Sequence, residues 1–109
     1  MEDGFVRVGS LAEVPEGELR CFELEQARIC VAHVENELFA IGDECTHEGC
    51  SLAEGELGEG EETVVCPCHR SEFDVRSGEP LAGPASDPVP VYPIRVRDGW
   101  VEIRPTPED

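Results

Sequence analysis

A chain of 109 residues supports one modest core and leaves no room for a catalytic domain beside an accessory domain. With 39% apolar residues and no stretch near the roughly 20 that a membrane helix requires, no membrane anchor is expected, and Met1-Glu2-Asp3-Gly4 has neither the basic and apolar regions of an export signal nor a twin arginine, which points to the cytoplasm. Twenty-five acidic residues against eight basic ones, all arginine, give a formal net charge of -17, a field that repels nucleic acid and draws in a partner with a basic docking face.

Eleven glycines and nine prolines interrupt the chain too often for a long amphipathic helix, so the reading is all-β, as a small antiparallel sandwich or barrel. The first strand is expected at Phe5 to Val8, then Glu18 to Leu24, Arg28 to Val34 and Glu37 to Ile41. A turn at Glu25-Gln26 would set Glu23 opposite Arg28, Phe22 opposite Ile29 and Cys21 opposite Cys30, the last two as small thiols of the sheet. A disulfide between such directly opposed residues would be strained.

From Gly42 to about Pro88 the alternation gives way to glycine, acid and cysteine, except at Glu62 to Val65 and Glu72 to Val75. This stretch, about 42–88, is expected to be a subdomain within a single domain spanning 1–109. Its run Glu54 to Glu62 suggests a solvated loop. Beyond it, Asp98-Gly99 is a favoured hairpin turn that pairs Val96 with Val101 and Ile94 with Ile103 on the core face, and Arg95 with Glu102 on the wet face.

Six cysteines exceed what a reducing compartment needs for structure and point to metal binding or redox chemistry. Cys45-Thr46-His47 and, after eighteen intervening residues, Cys66-Pro67-Cys68-His69 each place a thiolate and an imidazole within three or four positions. One loop tip can therefore aim both donors at one point, and Pro67 restricts the second loop. Two sulfur and two nitrogen donors fit a tetrahedral zinc ion or a two-iron two-sulfur cluster. Zinc fingers run in the order Cys, Cys, His, His, and the order here is Cys, His, Cys, His. Cys50 and Cys68, one in each loop, become neighbours if the loops meet, and a bridge, free thiols or additional ligation all remain open to them.

The segments Cys45-Thr46-His47-Glu48-Gly49-Cys50 and Cys66-Pro67-Cys68-His69-Arg70-Ser71-Glu72-Phe73-Asp74 resemble the two cluster-binding boxes of Rieske iron-sulfur proteins. Gly83-Pro84-Ala85 resembles the proline loop that covers the cluster in that family, and the flanking strands suit its β framework over nearly the whole chain. The resemblance implies a Rieske [2Fe-2S] cluster with Cys45 and Cys66 on the inner iron and His47 and His69 on the outer one. It puts Cys50 and Cys68 where the respiratory cytochrome bc type carries a disulfide, and Ser71 where that type has a hydroxyl bonded to a bridging sulfide. Two positions depart: Phe73 stands where that type has a tyrosine, and Arg70 replaces a common glycine.

Two neutral imidazoles in place of two thiolates make one iron easier to reduce, and such centres lie at roughly -150 to +300 mV. The resemblance thus implies a monomeric electron carrier rather than an enzyme, a soluble ferredoxin component moving one electron from a flavin-dependent NAD(P)H reductase to a terminal non-haem iron oxygenase. The alternatives are a tightly bound Rieske small subunit of a larger oxidoreductase and a zinc-stabilised binding module. His33, Tyr92, Trp100 and the four phenylalanines read as framework, core or rim.

Overall fold

Residues 28–34 run Arg-Ile-Cys-Val-Ala-His-Val with scarcely a polar interruption, a pattern that suits a strand covered on both faces. The computed structural model describes residues 4–25, 27–46, 49–58, 62–68, 70–83 and 85–107, and places Arg28–Val34 as strand β3 between two packed layers. Its Ile29 and Val31 join Phe22, Ala40, Val101 and Ile103 in one core cluster, while Cys30, Ala32 and Val34 join Ile41, Val64 and Phe73 in another. Each Val, Ile or Phe side chain among them removed from water contributes on the order of 1.5–3 kcal/mol, so this strand ties the two halves together.

Around it lie β1 (Val6–Ser10), β2 (Leu19–Glu23), β4 (Glu37–Gly42), β5 (Glu56–Leu57), β6 (Thr63–Val65), β7 (Glu72–Asp74), β8 (Pro80–Ala82), β9 (Val91–Tyr92), β10 (Ile94–Arg97) and β11 (Trp100–Ile103). They build three antiparallel sheets, in the orders β1-β11-β10, β2-β3-β4-β9 and β5-β6-β7-β8. Single 3-10 turns occur at Leu11–Glu13 and Leu52–Glu54, and among the described residues no helix is long and apolar enough to cross a membrane.

Both expected hairpin registers are present. Cys21 pairs with Cys30, Phe22 with Ile29 and Glu23 with Arg28, and the turn is closed by the Leu24 N–H donating to the Ala27 carbonyl at 2.9 Å; Gln26 lies outside the described residues. Ile94 pairs with Ile103 and Val96 with Val101 across Asp98-Gly99, whose φ values of 55° and 81° are those of a tight primed turn. His33 is a framework residue, its Nδ1 donating to the Val14 carbonyl at 2.7 Å.

Three expectations need correction. Glu102 is not on a wet face but only 3% exposed, because β11 is the middle strand of its sheet, with Arg7 and Arg95 opposite Glu102 on either side. Arg95 Nε donates to Glu102 Oε1 at 2.7 Å while its guanidinium lies 4.1 Å from the centre of the Phe5 ring, so that arginine and ring together cover the carboxylate. Val96, expected on the core face, is 44% exposed because β10 is an edge strand. Within the acidic run, Glu56–Leu57 is a strand paired with Val64 and Val65, not solvated loop; residues 59–61 of that run lie outside the described set.

Candidate metal centre

Two loops share one hydrogen-bond template. In the first, the Cys45 N–H donates to the Cys50 carbonyl at 2.9 Å, and the Cys45 carbonyl accepts from the Gly49 N–H at 2.7 Å. In the second, the Cys66 N–H donates to the Ser71 carbonyl at 2.7 Å, and the Cys66 carbonyl accepts from the Arg70 N–H at 3.0 Å. The residue four beyond each cysteine takes a left-handed conformation, with φ of 78° at Gly49 and 61° at Arg70. Cys45 and Cys66 therefore occupy equivalent positions in two copies of one turn.

Strands root both turns. Cys66 directly follows β6, and Cys45 follows β4 through Asp43 and Glu44. Both cysteines are buried and belong to the same apolar cluster as Leu52, Val64, Phe73 and Ala85. A disulfide between Cys50 and Cys68, with Cα atoms 6.5 Å apart, joins the loops. The Sγ atoms of Cys50, Cys66 and Cys68 lie within 4.8 Å of one another.

The base of the first loop is held by Asp43, fully buried, which the sequence reading missed. Its Oδ2 accepts from the Ser51 hydroxyl at 2.6 Å and its Oδ1 from the Ala53 N–H at 2.8 Å, and its backbone bonds Arg28 and Leu52. An aspartate two residues before a loop cysteine carries no sequence signal of such burial. Thr46 was also missed: its Oγ1 donates to the Asp87 carbonyl at 2.7 Å, tying the first loop to the segment after Gly83.

That third segment packs on Ser71. The Ala85 N–H donates to Ser71 Oγ at 3.1 Å, and Gly83, with φ of 90°, lies so near that a Cβ there would stand 2.5 Å from the Ser71 α-carbon. Ser71 is fully buried, and the described residues supply no acceptor for its hydroxyl hydrogen, although buried donors are ordinarily paired.

Of the expected site residues, the structure thus places Cys45, Cys50, Cys66, Cys68, Ser71 and Gly83 in one neighbourhood; His47, His69 and Pro84 lie outside the described residues. The two remaining cysteines, Cys21 and Cys30, are in no disulfide. Burial, reinforced by the charge of Asp43 and a hydrogen bond to it, pushes the Cys21 thiol up to about 11. Burial raises Cys30 further, and both are protonated, unreactive thiols at neutral pH.

The donor set fits a two-iron two-sulfur group: two buried cysteines outside the disulfide at equivalent loop positions, and one buried hydroxyl whose hydrogen needs an acceptor.

The comparisons with known proteins agree. The chain is 40% identical over 96 residues to the anthranilate 1,2-dioxygenase ferredoxin subunit of Burkholderia cepacia, an alignment covering 88% of this chain and 87% of that one. It is 39% identical over 93 residues to the 3-phenylpropionate/cinnamic acid dioxygenase ferredoxin subunit of Escherichia coli K12, covering 85% and 86%. Its fold superposes on the ferredoxin of carbazole 1,9a-dioxygenase from Nocardioides aromaticivorans IC177 with a TM-score of 0.88 at 28% identity, over 94% of this chain and 98% of that one. The family model of the Rieske [2Fe-2S] domain matches residues 4–93, and with the paired cysteine turns inside that span, the chain belongs to the Rieske [2Fe-2S] family.

Proposed function

We propose that this chain is a one-electron carrier, taking an electron from a flavin-dependent NAD(P)H reductase and delivering it to a terminal non-haem iron oxygenase. The observation that carries the reading is the near full-length similarity to dioxygenase ferredoxin subunits, together with a site built from buried cysteines. When bound, a [2Fe-2S] cluster held by two thiolates and two imidazoles accepts and returns a single electron at roughly -150 to +300 mV.

The chain's own residues have separate tasks. Cys45 and Cys66 would hold one iron from within the apolar cluster, and His47 and His69 the other. The buried thiolates keep water away from the sulfur side, and the hydrogen-bonded turns fix both donors before the group is loaded, which limits reorganisation. Ser71 would donate its unpaired hydrogen toward a cluster sulfide, with Gly83 packed against it. The Cys50–Cys68 bridge holds the loops at fixed separation.

In this reading residues 1–109 fold as one domain, with about 42–88 forming the cluster-bearing subdomain. The protein works as a monomer in the cytoplasm, and its net charge of -17 speeds encounter with basic partner faces in a salt-sensitive manner. The test is the absorption and electron paramagnetic resonance of freshly purified protein, with iron and sulfide analysis. About two irons and two sulfides per chain and the resonance of a reduced mixed-ligand cluster are expected. A polypeptide that stays colourless and iron-free after anaerobic reconstitution overturns the reading.

A further inference from the structure

Along β11, Trp100 and Glu102 alternate with the core residues Val101 and Ile103 and so face outward. Strand pairing brings Arg95 and Arg97 of β10 and Arg7 of β1 to the same side. Arg104, just past β11, joins them at the Phe5 ring, 4.9 Å from its centre where Arg95 lies at 4.1 Å. Half of the chain's eight arginines thus gather on one sheet face. The only carboxylate on these three strands is that of Glu102, which is 3% exposed and bonded by Arg95. In a chain of net charge -17, this face is locally positive.

Trp100, the chain's single tryptophan, is 39% exposed at the middle of the face. The Arg7 guanidinium stacks 4.7 Å from the centre of its ring, and Arg97 lies directly across from it on β10. We propose that this outer face docks an acidic, extended segment of a protein partner, its carboxylates meeting Arg7 and Arg97 on either side of Trp100.

Charge complementarity selects the occupant. Screening reaches about 8 Å at physiological ionic strength, while the molecule measures 38 × 25 × 20 Å, so a ligand on the face responds to its arginines and not to acids on the far side. A nucleic acid, with one charge about every 1.7 Å, runs off so small a patch onto an otherwise acidic surface, whereas a short run of carboxylates ends within it. Tryptophan and arginine are the side chains that concentrate binding energy at interfaces, and the stacking of Arg7 on Trp100 orders both before a partner arrives.

The face is also remote from the metal loops. Beneath it Val101 and Ile103 pack with Ile29 and Val31, whereas Cys45 and Cys66 pack with Cys30 and Ala32 in the cluster on the other side of β3. A partner seated here leaves both cysteine turns uncovered, so on the proposed function the carrier is held by one face while the other exchanges electrons. The docking itself does not rest on that function.

The probe is a fluorescein-labelled peptide alternating glutamate and glycine, of about eight residues and so roughly 25 Å long when extended. It is titrated with full-length holoprotein at roughly 50 and 200 mM salt, and peptide anisotropy and Trp100 emission are read. Wild type should bind, more weakly at the higher salt, with a shift in Trp100 emission. Arg97→Glu should weaken binding roughly tenfold and Arg7→Gln roughly threefold. Arg76→Glu makes the same change in net charge beside Phe39 and Glu37 of another sheet and should leave affinity within about twofold. Circular dichroism shows that each variant is folded. Equal weakening by Arg97→Glu and Arg76→Glu, no binding by wild type, an unmoved Trp100 emission, or tighter binding of an oligodeoxynucleotide of equal charge overturns the proposal. Iron content and cluster absorption of the same samples test the electron-carrier reading separately.

Discussion

Gly83 and Ser71 are in such close contact that the glycine has no space for a side chain: a Cβ would meet the Ser71 α-carbon at 2.5 Å and its Oγ at 3.0 Å. The contact brings the segment after Gly83 over the second cysteine turn, where the Ala85 N–H bonds Ser71 Oγ. A backbone approach thus seats the cover, and a hydroxyl pins it.

Gly83→Ala meets both a clash and an unfavourable φ of 90°. Overpacking and left-handed strain together should destabilise the fold by about 2–4 kcal/mol. Thermal and denaturant unfolding of the holoprotein measure this, and a change below 1 kcal/mol would mean that the segment swings away at little cost.

Ser71→Ala leaves the Ala85 N–H without its acceptor, a loss of about 1 kcal/mol. It also removes the hydrogen assigned to a cluster sulfide, so the reduction potential should fall. Phe73, which offers no hydroxyl, is fully buried and should leave the wild-type potential below that of the respiratory type. Protein-film voltammetry of wild type and variant decides; an unchanged potential removes the hydroxyl from the cluster's environment.

Arg70 occupies the left-handed position that glycine fills in the sister turn at Gly49. Its contact with Glu56 at 3.8 Å joins two largely exposed side chains and contributes little. Arg70→Gly should therefore stabilise the protein by up to about 1 kcal/mol, read as a raised denaturation midpoint with unchanged m-value.

The Cys21 thiol is raised from its ordinary 9.0 to about 11, first by burial and then by Asp43. A folded-state pKa above the unfolded one means that this stabilisation is complete below pH 9 and lost as pH rises through about 11. Unfolding free energy should therefore decline across that window, with the buried Cys30 thiol, also raised, continuing the decline to higher pH. Cys21→Ser should flatten the first part of the slope, as equilibrium denaturation at a series of pH values would show.

Local chemistry made much of the framework legible. Alternation, Asp98-Gly99 and the apolar run of residues 28–34 specify strands and registers because side-chain period and turn conformation are properties of neighbouring residues. The resemblance of the two cysteine boxes to a known family likewise implied the Cys50–Cys68 bridge that the structure shows. Contacts distant in sequence were not readable. The burial of Glu102 depends on Arg7, Arg95 and Phe5 closing over one sheet face, that of Asp43 on Ser51 and Ala53 returning beneath the first loop, and the place of Gly83 on its approach to Ser71. Each is decided by which surfaces lose water when three sheets pack, and desolvation belongs to the assembled structure, because no short segment excludes water by itself.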